Sequence, residues 1–363
     1  MTSARFDLGY LVFLNYEADV DALSALREGI ELTQHAERLG FDSAGVRVHH
    51  SVRTLSSPFP YLTAAALSTE RIKLATGIIP VGGEDPYRFA EDAATADLLS
   101  GGRLELGVSA GSSSLSEDPA ERARLVEEKL RGILSAIRGE PRGEAPWRSL
   151  RVPAAAPVGE GEEAVVPLPH GPYGSAPEEL TAFPRSSGLD DRLWYGAGSR
   201  ASALRAARLG FHLVLSTIHS EATGPTLGHT QAELIQEYRE EFAKHHPDRT
   251  ARVAVGRSLL PITDASDRRE YGGLKDFYDR LVTEDGRYTD SPERKGQASP
   301  LYAGEPAEIV DRLSADPVLP LIDELVLTPL TELSVDQKKR VFAAVAQQVA
   351  PDLGWRRAGA ALT

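Results

Sequence analysis

The chain has 363 residues, no cysteine and a formal net charge of −13. This length can bury one large core or two ordinary ones, and the lack of cysteine excludes disulfides, thiol nucleophiles and cysteine-ligated metals. The acidic balance argues against a nucleic-acid partner. Since no apolar run reaches the roughly 18–20 residues of a membrane span and no signal peptide is recognisable, we expect a cytoplasmic protein.

Short apolar runs alternate with segments of helical period in the first half of the chain. Strands are predicted at Phe6–Leu14, Phe41–Val48, Ile72–Ile79 and Arg103–Val108. The helices predicted to follow them are Asp21–Leu39, Pro58–Ser68, Pro86–Leu99 and Glu121–Ile137.

The second half continues the same alternation. Strands are predicted at Leu193–Tyr195, Phe211–Leu215, Arg252–Ile262 and Glu324–Leu327, and helices at Ser199–Arg208, Gln231–Phe242, Pro306–Leu313 and Ser334–Val349. Strands that alternate with helices predict a parallel sheet. Eight such units predict an α/β fold, a (β/α)8 TIM barrel.

Two long stretches without a sustained period account for the length beyond a plain barrel. We predict a single domain over residues 1–363, with loop insertions at 139–190 after the fourth strand and at 264–303 after the seventh. Both are expected on the active-site face, because long unpatterned loops of compact domains are usually functional or mobile. The second is interpreted as a lid, and the first as either a lid or a disordered insertion.

A histidine pair, His49–His50, follows the second predicted strand. Adjacent strand residues point to opposite sides, so one of the two faces the barrel mouth, which disfavours a metal site with several converging ligands. A single histidine at the end of a strand suits a general base near neutral pH. The alternative is a histidine that only stabilises its loop by hydrogen bonding.

A glycine-rich turn, Gly196–Ser202, joins a predicted strand to a helix with the spacing GxGxxA. Backbone N–H groups and the helix dipole favour a phosphate at such a turn, with Ser199 as the helix cap and Ser202 as a further hydroxyl. The next strand ends at Leu215–Thr217, without the acidic residue of a dinucleotide fold. This pattern predicts a phosphate site within a barrel, and the alternative is an ordinary helix cap.

Three weaker features complete the set of candidates. Small residues at 107–114 leave room for a flat ligand, and their serine hydroxyls can bond its edge. Gly77, in Ala75–Gly77, permits either close ligand approach or a bulge. Arg257 lies in an apolar run and either anchors an anion or pairs with an acid across the barrel, of which we favour the pair. Arg257 and His50 are kept as candidate substrate contacts.

Several segments together resemble the bacterial luciferase-like superfamily of flavin-dependent monooxygenases, from Phe6 to about Trp355. The most specific is EDAATADLLSGGRLELGVSAG, residues 91–111. Thr76–Pro80 resembles an earlier motif of that family, and Val48-His49-His50 resembles its Glu-His-His. WYGAGSRASALRAARLG (194–210) and SEATG (220–224) are similar to a subgroup of FMN-dependent members.

The resemblance implies that the barrel holds reduced FMN at the carboxyl ends of its strands. The cofactor contacts that it implies are Thr76 and Ser109 near the ring and Gly198, Ser199 and Ser202 at the phosphate. His49 takes the role of the family's catalytic base.

Three residues depart from the family pattern. Val48 replaces a glutamate, Ser109 replaces the reactive cysteine of luciferase, and Ala110 replaces an arginine that contacts the phosphate. We expect Arg200 to supply the missing cation.

The leading interpretation is an oxidoreductase, a monooxygenase that uses reduced FMN and O2 on a small organic substrate. One alternative is hydride transfer with a deazaflavin on the same fold, and another is flavin binding without turnover. The resemblance also implies a homodimer. A separate NAD(P)H:flavin reductase is expected as a partner, because the sequence shows no nicotinamide site.

Overall fold

Eight parallel strands form the closed barrel at the centre of the computed structural model. The described residues are 6–16, 21–111, 116–141, 181–283, 285–289 and 296–357, with the backbone of 149–153 and 163–167. The barrel strands are β1 Asp7–Val12, β2 Ser43–Val46, β3 Lys73–Thr76, β4 Leu104–Ser109, β5 Leu193–Ala197, β6 His212–Leu215, β7 Val253–Arg257 and β8 Glu324–Leu327.

Each strand pairs in parallel with the next one along the chain, and β8 closes the barrel on β1. The predicted (β/α)8 TIM barrel is therefore confirmed. Alternate strand residues such as Leu8, Leu106 and Leu325 are buried against the surrounding helices. This layer between strands and helices is the main core.

Nine helices are described outside the barrel. They are α1 Ala22–Leu39, α2 Pro58–Leu67, α3 Pro86–Ser100, α4 Pro119–Arg138, α5 Arg200–Leu209, α6 Leu227–His245, α7 Ala265–Leu281, α8 Pro306–Ser314 and α9 Val335–Ala344. Side-chain caps fix where several begin; Asp85 accepts from two backbone N–H groups ahead of Pro86, the first residue of α3. None of the described helices is long and apolar enough to cross a bilayer.

Short elements extend the connections. The additional strands are Ile79–Pro80, Ser149–Pro153, Glu163–Pro167, Ile218–His219, Leu259–Pro261, Gln297–Ala298 and Tyr302–Gly304. Single turns of 3-10 helix are Val81–Gly83, Leu189–Arg192 and Leu319–Leu321, and a π-helical turn is Val345–Val349.

The second predicted insertion, 264–303, is not an unpatterned loop. It contains the 17-residue helix α7, whose first turn is capped by Asp264. Tyr271, Leu274 and Tyr278 pack from α7 onto the core at helical spacing. The predicted strand 252–262 is divided as well, because Leu259–Pro261 leaves the barrel and pairs with Tyr302–Gly304.

The described end of the first insertion lies opposite the predicted face. Residues 139–190 follow helix α4 rather than a strand, so the insertion begins at the amino end of the barrel. Arg138 pairs there with Asp190, with Nε to Oδ2 at 3.1 Å, and Arg185 donates to the Gly139 carbonyl. Within the insertion, the backbone at 149–153 and 163–167 forms an antiparallel hairpin, and the other residues of 142–180 lie outside the described part.

Candidate active site

The carboxyl ends of β3 and β4 approach each other closely. A side chain at Gly107 would place its Cβ 2.1 Å from the Thr76 carbonyl oxygen, so no other residue fits there. The chain leaves β3 through a cis peptide bond between Gly77 and Ile78, and Ile79–Pro80 then pairs with the end of β4. These contacts fix one wall of the barrel mouth.

Phe13, Arg47 and His49 lie together at the adjoining wall, which β1 and β2 form beside β3. The Phe13 and His49 rings are nearly parallel, with an interplanar angle of 8° and centroids 6.1 Å apart. The Arg47 guanidinium carbon lies 5.2 Å from the centre of the Phe13 ring. Phe13 continues β1, and Arg47 continues β2 through an N–H bond to the Val12 carbonyl, so the two strands set this cluster.

His49 is exposed at the mouth and is held by its backbone N–H, which donates to the Leu55 carbonyl. Partial burial lowers the pKa of its imidazole below the ordinary value, and the charges of Arg47 and His50 lower it further. A histidine with a lowered pKa is neutral at pH 7 and can accept a proton. The position predicted for a base therefore has suitable electrostatics.

His50 points away from this cluster to the rim, as the alternation of strand residues predicts. Its Nε2 lies 3.9 Å from Oε1 of Glu84. Burial raises the pKa of the Glu84 carboxyl, although His50 and Lys129 act in the other direction. The predicted substrate contact at His50 remains a prediction.

The two residues expected near a flavin ring, Thr76 and Ser109, differ in how fully their hydroxyl groups are already hydrogen-bonded within the protein. The Thr76 hydroxyl is buried between strands, where it donates to the Gly107 carbonyl and accepts from the Gly107 N–H, both at 2.8 Å. The hydroxyl therefore bridges the two strands, and the cofactor contact predicted at Thr76 remains a prediction. Ser109 Oγ accepts from the Gly111 N–H at 3.1 Å, and its hydroxyl proton stays available to a ligand.

The turn before α5 forms the predicted helix cap. Ser199 and Ser202 build a reciprocal capping box at the first turn of α5. The space in which a side chain of Gly198 would lie contains no atom within 4 Å. The turn is thus open to a ligand, while the two serine hydroxyls are already used within the cap.

A carboxylate already contacts the start of α5. Oε2 of Glu221, from the segment SEATG, accepts from the Arg200 backbone N–H at 2.9 Å. This N–H group is one of those that a phosphate at the helix end would use. An anion is therefore accommodated at this position by the chain itself.

The side chains of Arg200 and Arg257 each form an ion pair with a carboxylate of this chain. The Arg200 side chain pairs with Glu237 of α6 and so does not replace the family's phosphate-binding arginine. Arg257 is 1% exposed, and its Nε donates to Oδ2 of Asp316 at 2.8 Å. The preferred ion pair is present, with Asp316, which follows α8 in the outer layer, and the substrate contact predicted at Arg257 remains a prediction.

Sequence reasoning missed Arg47, Phe13 and Glu221. Arg47 could have been found, because it is a charged residue near the end of the apolar strand predicted at Phe41–Val48. It lies two residues before His49, so the two side chains point to the same side of the strand. Phe13 directly follows β1, and its side chain points to the same side of the barrel wall as those of Arg47 and His49. Glu221 has no signal in its spacing, since its contact with α5 depends on the path of the chain after β6.

The closed barrel with helices between its strands defines the chain as a (β/α)8 barrel, a fold in which active sites lie at the carboxyl ends of the strands. The model of the luciferase-like monooxygenase family matches residues 6–316. The chain belongs to that family.

Two curated relatives are similar over part of the chain. Limonene 1,2-monooxygenase of Rhodococcus erythropolis is 34% identical over 143 residues, which are 38% of this chain and 37% of the relative. An F420-dependent glucose-6-phosphate dehydrogenase of Beutenbergia cavernae is 37% identical over 112 residues, 29% of this chain and 33% of the relative. The matched stretches thus span about a third of each relative.

A solved structure is similar over nearly the whole length. The oxygenating constituent of 3,6-diketocamphane monooxygenase from Pseudomonas putida, in complex with FMN, has a TM-score of 0.65 and 17% identity, covering 96% of this chain and 98% of that one. Similarity at this identity shows the fold.

Proposed function

We propose that the protein is a flavin-dependent monooxygenase that uses reduced FMN and O2 on a small organic substrate. The observation that carries the proposal is the arrangement at the barrel mouth, where a helix end that accepts an anion lies at the same end as a histidine with a lowered pKa. Membership of the luciferase-like monooxygenase family supports it, as does the FMN complex of the structural relative.

The residues at the mouth fit FMN with one adjustment. Open space at Gly198 and the position of this turn at the start of α5 suit a phosphate, and Ser109 offers a hydroxyl to the ring edge. The Glu221 carboxylate occupies one phosphate donor, so it must move aside. Since Glu221 is on a partly exposed segment and not in a salt bridge with any described side chain, we propose that it does.

His49 is proposed to act as the base. FMN, when bound, supplies electron transfer and oxygen activation. The neutral imidazole of His49 accepts a proton from the bound substrate at one of its ring nitrogens, and the parallel Phe13 ring holds the imidazole plane.

Reduced flavin must come from elsewhere, so we propose a separate NAD(P)H:flavin reductase in the same cytoplasmic compartment. The structural neighbour described as the oxygenating constituent of a monooxygenase supports this proposal.

We further propose a homodimer through α2 and α3. Leu67 on α2 and Leu98 and Leu99 on α3 are between 51% and 73% exposed, and α2 packs beside α3, so the two helices present neighbouring apolar side chains. Sedimentation velocity of the wild type and of Leu67→Glu tests this: a dimer that dissociates in the variant supports it, and a monomeric wild type contradicts it.

The alternative function is hydride transfer with a deazaflavin, which the similarity to an F420-dependent relative supports. Equilibrium binding of oxidised FMN and of a deazaflavin distinguishes the two functions. We expect FMN to bind with a Kd below roughly 100 µM, about −5.5 kcal/mol, and at least about 10-fold tighter than the deazaflavin. The reverse order overturns the cofactor, and no binding of either overturns the function. Reduced FMN, O2 and a panel of organic compounds then test for oxygenated product.

A further inference from the structure

Arg47 is a cation inside the barrel mouth. On β2 the side chain of Ser43 points into the barrel, where it bonds Glu324 of β8, and Gly45 faces the inward Leu11. Arg47 and His49 follow with the same parity. The contact between the Arg47 guanidinium and the Phe13 ring confirms that the side chain lies with His49 and not in the helix layer.

The Arg47 guanidinium has no anionic partner among the described residues. It is partly buried, and its one contact of note is the face of Phe13. Burial lowers the pKa of the guanidinium, with no carboxylate acting in the other direction. Partly desolvated charges are costly unless paired, so a cation left unpaired in a ligand site is a candidate for binding an anionic ligand.

The surroundings narrow the class of anion. The apolar Phe13 ring lies beside the cation and nearly parallel to the His49 imidazole, and a guanidinium binds carboxylates through two parallel hydrogen bonds. A ligand that satisfies both features carries a carboxylate on a flat or apolar body. The same position places that ligand beside the imidazole of His49.

We propose that Arg47 is a substrate-binding residue and that the substrate of this enzyme is an organic acid, whose carboxylate pairs with Arg47. This rests on the proposed function, because it assigns the substrate class of the same site. The competing occupant of Arg47 is the negative charge of reduced flavin, which is an outcome of the test below.

The probe is benzoate, with benzamide as the neutral molecule of the same shape, titrated into the flavin-free protein by calorimetry. The variants are Arg47→Met, which keeps an apolar side chain on Phe13, and Arg47→Lys, which keeps the charge. Arg53→Met is the matched control, because Arg53 is an exposed arginine in the loop that follows. Thermal unfolding of each variant verifies the fold.

We expect the wild type and Arg53→Met to bind benzoate at least about 10-fold tighter than benzamide, and Arg47→Met to lose that preference, as expected for loss of a charge-assisted bond. Arg47→Lys retains part of it. Equal binding of the two probes by the wild type, or an unchanged preference in Arg47→Met, overturns the proposal.

Flavin binding to the same proteins separates the remaining outcomes. If Arg47→Met lowers the affinity for reduced FMN relative to oxidised FMN while the benzoate preference persists, Arg47 serves the flavin and the substrate assignment is wrong. If the wild type binds no flavin but discriminates benzoate from benzamide through Arg47, the proposed function fails and the anion site stands.

Discussion

Charged side chains at the two ends of the barrel differ in how they are paired. At the amino end, Lys73 pairs with Asp7, with Nζ to Oδ2 at 3.0 Å, and Arg252 pairs with Glu105, with Nη1 to Oε1 at 3.4 Å. At the carboxyl end, the partly buried Arg47 has no acidic partner among the described residues. Charges that pair with each other stabilise the fold, whereas a cation without a described acidic partner is available to bind a ligand.

The largest effect is expected at the amino end, from Arg192→Met. Arg192 binds the fully buried carboxylate of Asp97 through both terminal nitrogens, at 2.7 and 2.8 Å. Its removal leaves a buried charge without its cation, so we expect the free energy of unfolding to fall by about 3–5 kcal/mol. Urea unfolding measures it.

The matched control is Arg88→Met, which removes a 70% exposed arginine paired with Asp92 along one helix. Its expected cost is below about 0.5 kcal/mol. Equal losses in the two variants would show that the Asp97 pair is not a structural element.

The next effect is a pH dependence from Glu324, also at the amino end. Burial raises the pKa of Glu324 to about 7, although the Ser43 hydroxyl and the cation of Arg252 oppose the shift. Because its pKa is raised in the folded state, the protonated Glu324 carboxyl contributes its full stability below the pKa of the unfolded chain. This stability is lost as the pH rises through 7. We expect this loss between pH 5 and 8 to be about 2–3 kcal/mol.

Glu324→Gln removes the titration and keeps an acceptor for Ser43. The variant should therefore show a smaller fall in unfolding free energy from pH 5 to pH 8 than the wild type. Glu240→Gln, at an exposed site on α6, should follow the wild type. Identical pH profiles of Glu324→Gln and the wild type would contradict the shift.

The smallest effect is expected at the carboxyl end, from Glu221→Gln. Without the carboxylate at the Arg200 N–H, a phosphate meets less competition at the start of α5. We expect FMN to bind about 5-fold tighter and riboflavin, which lacks the phosphate, to bind unchanged. Fluorescence titration measures both.

Glu237→Gln is the control for Glu221→Gln, because it removes a neighbouring carboxylate that pairs with the Arg200 side chain instead. An equal gain for both flavins, or an equal gain in the control, would place the phosphate elsewhere.

Most of the barrel was predictable, because buried parallel strands are short apolar runs. Helix α7 was missed since its apolar residues, among them Tyr271, stand between charged ones; the cap at Asp264 was the available signal. The face of the first insertion was misjudged because its position after a helix was overlooked. The structural use of Thr76 depends on the close approach of β3 and β4 at Gly107, which no single-sequence pattern reports.

The site was predictable where a residue follows directly from a strand end. His49 and the turn before α5 lie at strand ends, as predicted, and their roles remain predictions. The partners of Arg257 and Arg200 were not predictable, because Asp316 and Glu237 lie 59 and 37 residues away in sequence. Long-range pairing of this kind decides whether an arginine is structural or free, and only the fold reveals it.

A crystal structure of the FMN complex tests the central claim most directly. The account predicts the phosphate at the first turn of α5 beside Gly198, with Glu221 displaced from the Arg200 N–H, and the flavin ring within the mouth that Ser109 and His49 border. Flavin bound at the amino end or in the helix layer, with the mouth unchanged, would contradict it.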